Sequence, residues 1–109
     1  MGEALEGSTE EQAALFAALA DPTRLRLVKL LMRQHFPDAL CVNALASVLG
    51  ITQSAVSQHL RVLKNAGMVK GKRRGYRVHY SVDPETIRHY RSVILAVLPV
   101  DELQNKEKT

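Results

Sequence analysis

No acidic residue occurs between Ala39 and Val82. The same segment holds Arg61, Lys64, Lys70, Lys72, Arg73, Arg74 and Arg77, so with its histidines neutral it carries a charge of +7. The whole chain is only +4, which leaves the rest of the molecule at −3. Charge segregated in this way marks a surface suited to a polyanion. Cysteine is almost missing as well: Cys41 stands alone, which excludes an internal disulfide and fits a reducing compartment. The start, Met1 to Gln12, is acidic and lacks the basic and apolar regions of a signal peptide. The longest strongly apolar run, Val93 to Leu98, is too short to cross a bilayer, so a cytoplasmic protein is expected. Ser57 has no Gly-x-Ser-x-Gly elbow around it, and neither paired carboxylates nor a phosphate loop occur elsewhere. These absences argue against an enzyme, and no cofactor is expected.

A chain of 109 residues makes one domain with a small core, better served if a partner buries further apolar surface. Its 46% hydrophobic and 24% charged residues place it in the globular range rather than the disordered one. Thr9 to Ala20 reads as a first helix, with Ala13, Phe16 and Ala20 on one side and acids in its first turn. Asp21 then suits an N-cap and Pro22 the first helical position. In the helix that follows, Leu25, Val28, Leu31 and Met32 form an apolar face, and Arg24, Arg26, Lys29 and Arg33 are expected to point elsewhere. This helix is expected to end near His35, broken by Phe36, Pro37 and Asp38.

Val42, Leu45, Ala46 and Leu49 keep helical spacing, Gly50 stops that helix, and Thr52 caps another two residues later. Two helices joined by so tight a glycine turn make a helix-turn-helix candidate. In the second, Gln53 to Ala66, the residues Val56, Leu60 and Leu63 should face inward, which leaves Ser54, Ser57, Gln58 and Arg61 on the opposite stripe. Each of those four can hydrogen-bond and none is acidic; Arg reads guanine, Gln reads adenine, and serine reaches bases or phosphates. With Thr52, Gln53 and Lys64 they form the candidate reading surface. After the stop at Ala66-Gly67, Tyr76, Val78, Tyr80 and Val82 alternate with Arg77, His79 and Ser81 as a half-buried strand. It pairs with Met68-Val69-Lys70 across a basic loop, Gly71 to Gly75. A helix-turn-helix followed by such a hairpin is a winged-helix arrangement, with Lys70, Lys72, Arg73, Arg74, Tyr76 and Arg77 along the nucleic-acid backbone.

Four stretches together resemble the ArsR/SmtB-type winged-helix repressors over about Leu15 to Leu98. They are Leu19 to Arg26 (LADPTRLR), Leu45 to Leu60 (LASVLGITQSAVSQHL) and Leu63 to Val69, followed by the wing's Gly75 to Tyr80 (GYRVHY). The resemblance implies α-α-α-α-β-β-α topology, mainly helical with a small hairpin. It also implies a homodimer on an inverted-repeat operator in double-stranded DNA, released by an effector that is often a metal ion. Ile87, Tyr90, Ile94 and Val97 make the last helix apolar along one face, which either packs on the first helix or meets a partner. The resemblance implies the partner, with Leu15, Phe16, Leu19, Ile87, Tyr90, Ile94, Val97 and Leu98 at the dimer seam. Residues 1–8 are then expected as a flexible acidic N-terminus, 9–99 as the DNA-binding and dimerisation domain, and 100–109 as a frayed tail.

The family's two recurring metal sites do not carry over. Where one uses Cys-x-Cys this chain reads Cys41-Val42-Asn43, and soft ions need two or more thiolates. Where the other uses Asp-x-His with a later His-x-x-Glu, the chain reads Asp83-Pro84-Glu85 and Ala96-Val97-Leu98-Pro99. No metal ligand is therefore assigned; Asp83 and Glu85 suit a helix N-terminus, with a cluster including His89 as the alternative. His59 is expected to pack or make a polar contact, and Cys41 to be a small buried residue or a lone redox sensor. Alternatives to an effector-released repressor are a redox-responsive, small-molecule-responsive or constitutive regulator, a winged-helix module binding an acidic protein, and a metal-trafficking protein.

Overall fold

The computed structural model describes residues 7–33 and 40–108; the expected break at His35, Phe36, Pro37 and Asp38 lies outside the described residues. Helix α1 runs Thr9–Leu19 and opens on Ser8, whose hydroxyl accepts from the Glu11 amide at 3.1 Å. Helix α2, Pro22–Arg33, starts as its sequence suggests: one carboxylate oxygen of Asp21 accepts from the amides of Thr23 and Arg24 at 2.9 and 3.0 Å. Strand β1, Leu40–Cys41, leads into α3, Val42–Leu49. Gly50 ends α3 with φ 67°, a left-handed conformation that a side chain would strain. Thr52 then caps α4, Gln53–Asn65, its hydroxyl accepting from the Ala55 amide at 3.0 Å.

Val56, Leu60 and Leu63 on α4 are buried, as their spacing predicts, and Leu45 and Ala46 on α3 join them. Leu27, Leu31, Met68, Val69 and Tyr90 complete this core, and Val42 and Leu49 pack at its edge. The α2 face differs from expectation. Leu27 and Leu31 are its buried residues, whereas Leu25 and Met32 are 40% and 49% exposed. Helical spacing puts Arg24, Leu27, Val28 and Leu31 on one inward stripe, and the phase is displaced because a charged residue leads it. On α1, likewise, Ala18 is the buried residue while Ala13 and Ala20 are exposed.

Strand β2, Val69–Arg74, pairs antiparallel with β3, Arg77–Val82, from Val69 opposite Val82 to Arg74 opposite Arg77. The basic residues expected in a loop therefore lie in the strand, and the turn shrinks to Gly75-Tyr76. Positive φ at Gly75 (65°) and not at Tyr76 is the pattern of a type II′ turn, which matches strand twist. Tyr76, expected to alternate inward, is wholly exposed at the turn; Val78, Tyr80 and Val82 are half-buried. β1 adds a third strand on the other edge of β3, with Leu40 opposite Tyr80 and Cys41 opposite His79, so the order is β1-β3-β2.

Asp83 caps α5, Pro84–Val97, accepting from the Glu85 amide at 3.3 Å and the Thr86 hydroxyl at 3.0 Å. The residues beyond Pro99, expected as a frayed tail, form α6, Val100–Lys108. Asp101 and Glu102 in its first turn complement the exposed amides there. The architecture is a helical body with a small three-stranded sheet, mostly as expected but with one strand and one helix more. Among the described residues, no helix is long and apolar enough to cross a membrane.

Candidate nucleic-acid interface

The core decides what α4 shows to solvent. With Val56, Leu60 and Leu63 turned in, Gln53, Ser54, Ser57, Gln58, Arg61 and Lys64 are all exposed. Thr52 is exposed too, but its hydroxyl is engaged in capping. A recess of about 230 Å³ between α4 and the sheet is lined by Ser57, Leu60, Arg61, Lys64 and Tyr80. Tyr80 thus lies between α4 and the hairpin, a placement that strand alternation alone does not suggest.

On the wing, Lys70, Lys72, Arg73 and Arg77 are exposed and Arg74 is half-buried. Arg74 and Arg77 oppose each other across the end of the hairpin, and like charges in that position repel. Lys70 is drawn aside: its Nζ lies 3.5 Å from Oδ1 of the half-buried Asp83.

Two of the histidines behave differently from the stripe around them. His59 is half-buried and its Nδ1 lies 3.3 Å from a guanidinium nitrogen of Arg24. His79 has a buried Nδ1 with no hydrogen-bond partner among the described residues. Cys41 is buried at the start of α3, where the amide of Ala44 leads in holding its thiol below the usual range, against desolvation, with help from the Asn43 amide and the Arg77 charge. A recess of about 320 Å³ beside it is lined by Cys41, Val42, Asn43, Tyr76, Arg77, Val78 and Tyr80.

The expected seam residues divide into two groups. Leu15, Phe16, Leu19 and Ile87 pack on the protomer's own core, and Tyr90 is buried in it, its ring edge-on to Phe16 at 5.7 Å and its hydroxyl donating to the Leu15 carbonyl. Burial raises the Tyr90 phenol. Ile94, Leu95, Val97 and Leu98 remain exposed, and Val100 and Leu103 are exposed apolar residues on α6.

The residues present do not fit the metal sites that the resemblance implies. Asn43 supplies no thiolate, Asp83 is occupied as a cap, and Glu85 pairs with Arg88 at 2.7 Å. Among the described residues no three His, Cys, Asp or Glu side chains are grouped to hold a metal ion.

The profile of the bacterial regulatory protein, arsR family, matches residues 21–70, which span the capped α2, the helix-turn-helix and the first residues of β2. The transcriptional repressor SmtB homolog of Synechocystis sp. is 44% identical over 85 residues, 77% of this chain and 61% of that protein. A crystal structure described as a possible transcriptional regulator for arsenical resistance is 34% identical, with a TM-score of 0.67, covering 84% of this chain and 94% of that one. The solution structure of a homodimeric winged helix-turn-helix DNA-binding domain from Mycobacterium bovis is 27% identical, with a TM-score of 0.65, covering 81% of this chain and 79% of that one. The chain spans 55% to 61% of the length of three of the curated relatives it matches. The family profile lies over the capped α2 and the helix-turn-helix, the similarity in sequence and in structure extends over most of the chain, and the chain belongs to the ArsR family of bacterial regulatory proteins.

Proposed function

We propose that this chain is a transcriptional repressor that binds an inverted-repeat operator in double-stranded DNA as a homodimer. The observation that carries this reading is the exposed stripe Ser54, Ser57, Gln58 and Arg61 on α4, free of acids and flanked by the cationic wing. In this reading α4 lies in the major groove, where Arg61 and Gln58 read base edges, while Lys72, Arg73, Arg74 and Arg77 contact phosphates. The exposed apolar residues of α5, Ile94, Val97 and Leu98, belong to the dimer seam. The operator is vacated on binding an effector other than a metal at the family's recurring sites, since their ligand sets are incomplete.

Titrating the protein against a randomised pool of duplexes, with selection of tight binders, tests this reading. Enrichment of an inverted repeat is expected, with half-sites about one helical turn or a multiple apart and affinity falling steeply with salt. Failure to enrich any sequence, alongside tight binding to an acidic protein, would replace DNA by a protein partner.

A further inference from the structure

Arg24 stands in the inward stripe of α2, where a cation has to find partners. Its three guanidinium nitrogens each find one. Nε donates to the Ala18 carbonyl at 2.7 Å and one terminal nitrogen to the Ala17 carbonyl at 3.3 Å, both on the last turn of α1. The other terminal nitrogen lies 3.3 Å from His59 Nδ1 on α4. Its own amide is held by Asp21. We infer that Arg24 is a positioning residue for DNA reading: its fork fastens the end of α1 and the start of α2 to the imidazole of His59, and so fixes how α4 is presented to the groove.

The chemistry requires one arrangement at His59. Guanidinium only donates, so Nδ1 must be the bare, accepting nitrogen and the proton must sit on Nε2. Asp21 Oδ2 lies 3.9 Å from the same Nδ1, too far for a hydrogen bond, and already accepts from two amides. A planar, rigid fork spans carbonyls on one helix and a ring on another; a lysine in its place has one nitrogen and cannot reach all three. His59 sits directly beside Gln58 and two residues from both Ser57 and Arg61. Motion at its ring therefore passes to the side chains that face DNA. Contacts to base edges are directional, so a small tilt of α4 weakens specific binding more than attraction to phosphates.

The proposal rests on the DNA-binding reading, and its test separates the two. Arg24→Lys, His59→Leu, their combination, and His59→Asn, which restores an acceptor near the position of Nδ1, are compared with the unaltered chain on its selected duplex and on a scrambled one. Thermal unfolding checks that each variant is folded, and imidazole 15N shifts read the His59 tautomer without DNA. Expected are losses of about tenfold in specific affinity for Arg24→Lys and for His59→Leu, the scale of one hydrogen bond to a charged group. The combination should lose no more than either alone, His59→Asn should stay within about twofold, and the scrambled duplex should be bound equally by all. The unaltered protein should show the Nε2–H form, and Arg24→Lys a mixture. Losses that add, His59→Leu binding as the unaltered chain does, or a His59 proton on Nδ1 would each overturn the clamp while leaving DNA binding intact. An unaltered chain that does not distinguish the two duplexes would overturn the DNA reading and the clamp with it.

Discussion

The reading helix and the wing reach the same candidate surface by opposite means. Helix α4 is held by three fully buried side chains, Val56, Leu60 and Leu63, and by the contact of His59 with Arg24, and it offers mainly uncharged hydrogen-bonding groups. The wing is held by its backbone ladder, offers five cations, and opposes Arg74 to Arg77 at its end. Hydrogen bonds to base edges demand fixed geometry, whereas attraction to phosphates tolerates a range of positions. In the proposed reading, packing is therefore concentrated where direction matters, and charge where it does not.

The largest effect should come from removing the support of the helix. Leu60→Ala should lower unfolding free energy by about 2–5 kcal/mol in chemical denaturation, since Leu60 is 2% exposed within the core. A loss below about 1 kcal/mol would mean that α4 is not anchored there. Next comes the contrast itself. Arg61→Ala should cost roughly 1–3 kcal/mol of discrimination between the selected and a scrambled duplex. Replacing Lys72, Arg73 and Arg74 by alanine should weaken both duplexes alike and flatten the log K against log salt slope by about 0.9 for each phosphate no longer neutralised. If the wing variant lost discrimination and Arg61→Ala altered only the salt slope, the two roles would be reversed.

The smallest effect concerns the cap beneath the clamp. The Arg24 amide leads in holding the Asp21 carboxyl below its usual range, against desolvation and with help from the Arg24 charge and the Thr23 amide. A depressed folded-state pKa contributes stability that is present above the unfolded value of 3.8 and lost as pH falls through the lower folded value. Asp21→Asn should therefore remove part of the acid sensitivity of unfolding below about pH 4, read from melting curves across that range. Identical acid profiles for the two proteins would show that the carboxylate is not stabilised by folding.

The helix-turn-helix was legible residue by residue, because Gly50, Thr52 and the Val56-Leu60-Leu63 spacing are local signals that packing does not override. Arg24 was not, because hydropathy assigns a cation outward while three acceptors from other elements draw it in. The basic run of the wing reads as loop because lysine, arginine and glycine favour strands weakly; pairing with β3 decides otherwise. Helix α6 has few apolar residues and no tertiary signal in its sequence, so Val100 to Lys108 reads as tail. Tyr90 matches a seam residue by spacing, yet the edge of Phe16 and the Leu15 carbonyl take it inside the protomer.

The two residues of β1 change the mechanics of the wing. With Leu40 and Cys41 on one edge and β2 on the other, β3 is gripped from both sides at His79 and Tyr80, while Gly75 and Tyr76 stand beyond any third strand. The hairpin is a cantilever, clamped at its root and, among the described residues, flanked by no third strand at its end. A load applied at the end would bend the outer rungs and be carried, through Cys41, into the first turn of α3, so the wing and the helix-turn-helix share one foundation.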